Sequence, residues 1–115
     1  MAVLATALPV QQVRLPVGYL DPGTGELFQD ADVRAISGAD EYYIGMTAEY
    51  NRNPNGLVYR SLLLARTVVR LGVRRLVTID DIAHLHVRDV RVLECAIYRM
   101  TYGEENAPKE DDEPG

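Results

Sequence analysis

The distribution of apolar and polar residues along the chain predicts a β-hairpin at its start. Apolar and polar residues alternate over 11–17, where Val13, Leu15 and Val17 share one side, a period typical of a strand. Pro16 interrupts this run, and because proline donates no ladder hydrogen bond it indicates an edge strand. The sequence DPGTG has turn chemistry, so ELFQDADVRAI is expected to form the returning strand.

From residue 37 onward the apolar period becomes helical. Ser37, followed by Asp40 and Glu41, is typical of a helix start, where a hydroxyl caps the free amides and acids favour the positive end of the dipole. The clearest helix is predicted over 57–71, where apolar residues cover about half of the helical wheel. Gly72 is expected to end it as a C-terminal cap.

Two further helices are predicted towards the end of the chain. Thr78 stands three residues before Asp81, an aspartate version of the capping box. The last helix is expected over 87–102, ending at Gly103. Its apolar stripe consists of Val90, Leu93, Ala96, Ile97 and Met100. We therefore expect an α+β fold in which an N-terminal β-hairpin packs on a bundle of three to four helices.

Length and charge indicate how the chain is divided. Its 115 residues suffice for one domain with one modest core. We expect an arm over 1–10, a single α+β domain over 11–103 and a disordered acidic C-terminal segment over 104–115. That segment holds six acids and one lysine, which leaves 11 acids and 11 arginines in the rest of the chain.

Composition argues against several classes of protein. No apolar run approaches the ~20 residues that span a bilayer, so we expect no membrane partner. A neutral body with an acidic end lacks the basic face of a nucleic-acid-binding protein. The apolar start is short for a secretion signal and has no charged leading region. A single cysteine, Cys95, fits a reducing compartment, and we expect a cytoplasmic protein.

The glycines of LPVGYLDPGTGEL invite comparison with a phosphate-binding loop. Gly18 and Gly23 have the separation of the glycines in a Walker loop, but Thr24 stands where that loop requires lysine. The dinucleotide fingerprint G-x-G-x-x-G is absent as well. A hairpin turn explains the glycines, so no nucleotide site is predicted.

Metal-ligating residue types gather only in DDIAHLH. Asp80 and His84 are four residues apart and could share a helical face, whereas His86 follows two residues later. A zinc site needs three or four ligands. Cys95 has no histidine near it in sequence, so it is interpreted as a small apolar residue of a helix. We predict no metal, no cofactor and no small-molecule substrate, and expect that the protein is not an enzyme.

Arginine and tyrosine side chains supply the candidates for contact with another protein. Arg66, Arg70 and Arg74 form an i, i+4, i+8 row on the predicted 57–71 helix and its end. Such a row is either a solvated face or a docking site for an acidic partner or the chain's own acidic segment. Tyrosine and arginine are enriched where interfaces gain most of their affinity. The predicted partner-binding residues are Pro16, Tyr59, Leu63, Arg66, Arg70, Tyr98 and Tyr102.

Three stretches of the chain resemble a known family. They are VRLPVGYLDPGTGELFQDADVRAISGADE, LLLARTVVRLG and VTIDDIAHLHVRDVRVLECAIYRMTYGE. Together they are similar to the small tail-assembly proteins of contractile phages and phage-tail-like injection systems, the baseplate hub assembly chaperones. Members of that group share an LP-G-DG hairpin, an LL-R-LG helix and a closing [FY]-G. The resemblance spans residues 13–104 and is a pattern of elements and caps without a catalytic signature.

The resemblance implies a function in assembly. A member of this group is a non-enzymatic protein that binds tube, hub or baseplate subunits while a contractile phage tail or injection system is built. Two alternatives stay open from the sequence. One is a permanent structural adaptor of the mature particle, at the baseplate or at the tube or sheath end. The other is an unrelated small regulatory binding protein.

Overall fold

The computed structural model describes residues 9–103, and in them the predicted α+β class is confirmed. The predicted acidic segment over 104–115 lies outside the described residues, as do residues 1–8 of the predicted arm. The elements are β1 (Val10–Leu20), β2 (Leu27–Arg34), α1 (Gly38–Gly45), α2 (Ala48–Arg52), α3 (Gly56–Thr67), β3 (Val68–Leu71), α4 (Ile79–Ala83) and α5 (Val87–Tyr102).

The predicted hairpin forms, and its glycine-rich loop is a turn. β1 and β2 pair antiparallel from Val10↔Arg34 to Leu20↔Leu27. At the tip the carboxylate of Asp21 accepts hydrogen bonds from the amide and the hydroxyl of Thr24, at 2.9 and 3.1 Å. Gly25 has φ +76°, which glycine adopts without steric cost. The loop is therefore closed by its own side chains.

The predicted helix over 57–71 is wrong in its last turn. α3 ends at Thr67, and the chain continues as a third strand, β3, paired antiparallel to β2. Thr67, Val68 and Val69 are β-branched, a type that loses side-chain freedom in a helix and packs well in a sheet. Gly72 ends this strand, and a Cβ there would clash with Phe28.

The predicted row of three arginines on one helix is therefore also wrong. Arg66 lies on α3, Arg70 lies on β3, and Arg74 lies in the turn that follows. Arg70 pairs with Asp32 across the β2–β3 ladder, with Nε 2.9 Å from the carboxylate. The three guanidinium groups thus belong to three different surroundings.

The helical part of residues 9–103 has five helices rather than three to four. The helix predicted after Ser37 is divided, because α1 ends at Gly45 and α2 begins at Ala48. Between them the hydroxyl of Thr47 accepts a hydrogen bond from the amide of Tyr50 at 3.2 Å, and so caps α2. The predicted capping box before α4 is confirmed, with Thr78 as its first residue.

Two groups of apolar side chains form the core. The larger one lies between the sheet and the helices, and includes Val13 and Leu15 of β1 together with Leu93 and Ile97 of α5. The smaller one joins α1 and α3 through Ile44, Leu62 and Leu63. Of the predicted α5 stripe, Leu93, Ala96 and Ile97 are buried, while Val90 and Met100 are partly buried. Cys95, expected outside the stripe, is buried as well.

Candidate protein-interaction surfaces

Three buried aspartates hold the helices against the sheet. The backbone and side chains that they bind are not available to a partner protein. Asp40, Asp81 and Asp89 are each the third residue of a helix, in α1, α4 and α5 respectively. An acid at this position is favoured by the helix dipole. Each of the three also accepts hydrogen bonds from beyond its own helix.

Asp89 ties the start of α5 to β1. Its carboxylate accepts the amides of Val17 and Gly18, at 2.9 and 3.0 Å, and is fully buried. Both amides point to it because the β1–β2 register shifts between Arg14 and Tyr19, as in a β-bulge. Gly18 has φ +114°, which a side chain would strain. These bonds use the backbone of β1 at Val17 and Gly18.

Asp81 ties α4 to the same strand. Its carboxylate accepts a hydrogen bond from the hydroxyl of Tyr19 at 3.1 Å and one from Nε of Arg74 at 2.7 Å. Burial of Asp81 opposes ionisation, but hydrogen bonds from Thr78, Arg74 and Tyr19 outweigh it and lower the pKa of the carboxyl group. Burial and the bond to Asp81 raise the pKa of Tyr19. Asp81 therefore stays ionised and Tyr19 stays protonated at neutral pH.

Asp40 ties α1 to β2 and α3. It lies 2.8 Å from a terminal nitrogen of Arg34 and 2.8 Å from Nε of Arg66. It also accepts the amide of Ser37 at 2.8 Å, which completes a capping box. Burial disfavours the ionised carboxylate of Asp40. The hydrogen bonds from Arg34, Ser37 and Arg66 outweigh burial and hold the pKa of Asp40 well below its usual range.

The two halves of β1 differ in how their outer side is used. We call Pro16–Leu20 the tied half, because Asp89 and Asp81 bind its backbone and its tyrosine. Val10–Arg14 is the open half: in the sheet that residues 9–103 form, β1 is an edge strand, and this half pairs with β2 alone. The prediction that Pro16 marks an edge strand is confirmed, and Pro16 is exposed at the border of the two halves.

Three of the predicted partner-binding residues lie together on one surface. Tyr98 and Tyr102 of α5 stack with ring centroids 5.7 Å apart, and both lie close enough to Tyr59 of α3 to raise its pKa. Tyr59 packs edge-on against Tyr50 at 6.3 Å. Burial, followed by the hydrogen bond to Glu41, raises the pKa of Tyr59 to about 12. Tyr50, Tyr59, Tyr98 and Tyr102 form what we call the tyrosine face.

The other predicted residues are dispersed. Leu63 was expected on the surface, which is wrong: it is 6% exposed and packs with Ile44 in the smaller core. Its place follows from the course of α1, which sequence periodicity alone does not give. Arg70 lies on β3, where bonds to Asp32 and Asp30 raise its pKa despite partial burial. Whether these residues contact a partner stays a prediction, and for Leu63 its burial argues against it.

Arg66 lines a groove. Residues of α1, α2, α3 and the β3–α4 connection contribute to its lining, and its volume is about 570 Å³. We call it the α1–α3 groove. The ring of Tyr43 covers the guanidinium of Arg66, with the central carbon 4.3 Å from the ring centroid. Leu76, which also lines the groove, is 81% exposed.

The candidate metal ligands have structural roles instead. Nδ1 of His84 lies 2.7 Å from the carbonyl oxygen of Asp80, one turn earlier in the chain. Nδ1 of His86 accepts the amide of Arg88 at 3.1 Å and caps α5. Within residues 9–103 no three His, Cys, Asp or Glu side chains are grouped so that they could hold a metal ion.

Comparison with protein-family models, with curated proteins and with solved structures returned no match for this chain. In the part of the chain that the structure describes, no helix has both the length and the apolar character to cross a membrane.

Sequence reasoning found the caps but not their second function. Asp40 and Asp81 were identified as acids of a helix start, yet nothing local shows that they also bind Arg34 and Tyr19. The sequence identifies Asp89 only as an acid early in a predicted helix and does not reveal its bonds to β1. Leu76 gave no signal that distinguishes it from Val73 and Val77 in the same stretch, VRRLVT.

Proposed function

We propose that the chain is a non-enzymatic assembly protein of a contractile phage tail or injection system, which binds tube, hub or baseplate subunits in the cytoplasm. The particle and its subunits are proposed from the sequence resemblance described above. Neither cofactor, metal, nucleic acid, membrane nor small-molecule substrate has a part in this function.

The open half of β1 is the observation that carries the proposal. An edge strand presents unpaired amides and carbonyls along its outer side. A partner strand that adds there gains main-chain hydrogen bonds, while side-chain pockets give specificity. Val10, Gln12 and Arg14 are exposed along this half. Client binding by strand addition at Val10–Arg14 thus uses the half of β1 to which Asp89 does not bind.

Co-expression with individual tube, hub and baseplate subunits tests this proposal. We expect one subunit to be co-purified, and on binding the amide hydrogen exchange of residues 10–15 is expected to slow at least tenfold. Exchange at Val17 and Gly18 should change little, because Asp89 already holds their amides.

A double variant isolates the strand edge. Val10→Lys with Gln12→Lys places charges on an edge strand, which natural proteins use to block strand addition. We expect at least a tenfold loss of client binding. Leu57→Lys, at an exposed position on α3, is the matched control and should bind normally. Client binding that leaves exchange at 10–15 unchanged contradicts strand addition, and the absence of any tube, hub or baseplate client contradicts the assembly function.

The composition of purified particles separates the transient factor from the permanent adaptor. An assembly factor is expected to be absent from finished particles. Stoichiometric presence there would support the adaptor, which can use the same strand edge.

A further inference from the structure

The α1–α3 groove is lined by exposed apolar side chains and by one arginine, Arg66, that has hydrogen-bond donors unpaired within residues 9–103. Tyr43 and Leu76 both line it, and Ile79 adds apolar surface at the start of α4. Met46, next to the groove at the end of α1, is also largely exposed. Exposed apolar side chains that gather around a concave surface mark contact sites for proteins.

The two arginines of the groove differ in what they have left to bind. Arg34 donates through its terminal nitrogens to Asp40 and to the carbonyl oxygens of Ala35 and Arg66. Among the described residues, Arg66 donates only through Nε, to Asp40 at 2.8 Å. Its side chain is one-third exposed. The terminal nitrogens of Arg66 are therefore free to pair with a carboxylate in the groove.

Acidic side chains flank this cation. Glu49 of α2 and Asp80 of α4 also line the groove, and both are exposed. Asp40 is fully buried and engaged by Arg34 and Arg66. The groove lining thus combines one cation with free donors, apolar side chains and two exposed carboxylates.

We propose that the α1–α3 groove binds a segment of another protein in which one carboxylate stands between apolar side chains and basic residues flank them. The carboxylate pairs with the terminal nitrogens of Arg66, the apolar side chains pack on Tyr43 and Leu76, and the basic residues meet Glu49 and Asp80. Complementary charge of this kind gives register and specificity to an interface.

The chain's own C-terminal segment does not fit this pattern. Residues 104–115 hold six acids and one lysine, so most of their carboxylates would face Glu49 and Asp80 rather than Arg66. Like charges brought together cost affinity. The groove also shares no residue with the open half of β1, so this contact is separate from the proposed strand addition.

Selection from a random peptide library displayed on phage, with the purified full chain immobilised, tests the proposal. We expect the selected peptides to share one acidic residue between apolar ones, with Arg or Lys on either side. Replacing that acid by its amide should weaken binding at least tenfold. Leu76→Asp should abolish binding, whereas the matched control Leu57→Asp, also at an exposed leucine, should leave it unchanged.

A second variant tests the cation itself. Arg66→Gln keeps Arg34 on Asp40 and is expected to remain folded, as a thermal melt will show, but to lose the preference for the acidic peptide over its amide. The proposal is contradicted if the selected peptides lack an acid or are polyacidic like 104–115. It is also contradicted if they bind the Leu76→Asp variant as well as the wild type, or if the selection enriches no peptide. The Val10→Lys/Gln12→Lys variant should bind these peptides normally, so this outcome is independent of strand addition.

Discussion

The tied and open halves of β1 belong to one strand and pair with the same neighbour, yet they serve different purposes. In the tied half, Val17 and Gly18 donate their amides to Asp89 and Tyr19 donates its hydroxyl to Asp81. The open half has β2 on one side and exposed side chains at Val10, Gln12 and Arg14. A single strand can thus anchor the last helix at one end and keep a free edge at the other.

Asp89→Ala is expected to have the largest effect on this difference. It leaves the buried amide of Gly18 and the half-buried amide of Val17 without their acceptor, and a buried donor that loses its partner costs about 1–3 kcal/mol. We expect the free energy of unfolding to fall by roughly 2–4 kcal/mol, measured by urea denaturation. Asp80→Ala, an exposed acid in the first turn of α4, is the control and should cost less than about 1 kcal/mol. If both variants lose the same free energy of unfolding, the bonds of Asp89 do not anchor the tied half.

Gly18→Ala should have the next largest effect. The φ of +114° disfavours any side chain, and an added Cβ would lie 3.0 Å from Leu27 and 3.1 Å from the carbonyl oxygen of Phe28. A residue held in such a conformation costs about 1–3 kcal/mol. Thermal melts of both variants measure the effect. Gly38→Ala, where a Cβ meets no atom within 4 Å, is the control and is expected to be neutral or slightly stabilising. A neutral Gly18→Ala variant would contradict the strained geometry of the tied half.

The pH dependence of stability should also reflect the tied half. Asp81 has a lowered pKa in the folded state, so the stability it contributes is present above its unfolded pKa of about 3.9. That stability is lost as the pH falls through the lower folded pKa. Between pH 6 and pH 2 the wild type should lose more stability than Asp81→Asn, by on the order of 1 kcal/mol, the size of one hydrogen bond. Urea denaturation across this range measures the free energy of unfolding of both proteins. If it falls equally with pH in both, the partners of Asp81 do not stabilise its ionised form.

The smallest effect on stability is expected in the open half. Val10→Lys with Gln12→Lys changes two exposed side chains and removes no buried contact, so the free energy of unfolding should stay within about 0.5 kcal/mol of the wild type. The same urea series measures it. A loss comparable to that of Gly18→Ala would mean that Val10–Arg14 is as firmly anchored as Pro16–Leu20.

The fold class and the helix caps could be predicted from sequence because their causes are local. The carboxylates of Asp40 and Asp81 accept the amides of Ser37 and Thr78, each three residues earlier, and Asp21 closes its turn with Thr24. β3 could not be predicted in the same way. Its residues continue the helical apolar period of α3, so the β-branched Val68 and Val69 alone do not identify a strand, and pairing with β2 holds Val68–Leu71 extended.

The candidate surfaces were predictable only in part, for the same reason. Tyr59, Tyr98 and Tyr102 were identified by type, and the packing of α3 against α5 brings them together. The α1–α3 groove depends on Leu76 and Tyr43 lining the same depression, and two helices and a strand separate these residues in sequence. Leu63 was misplaced because the helix that covers it, α1, is distant in sequence.

The bonds of Asp89 have a consequence for how the chain reaches its folded state. The carboxylate and the two amides it accepts are 71 and 72 residues apart in sequence. Contacts of such separation form slowly, because a long loop must close before they contribute. During synthesis, β1 and β2 emerge long before their acceptor does. A nascent chain that stops short of residue 89 therefore lacks the acceptor that Val17 and Gly18 have in the folded protein.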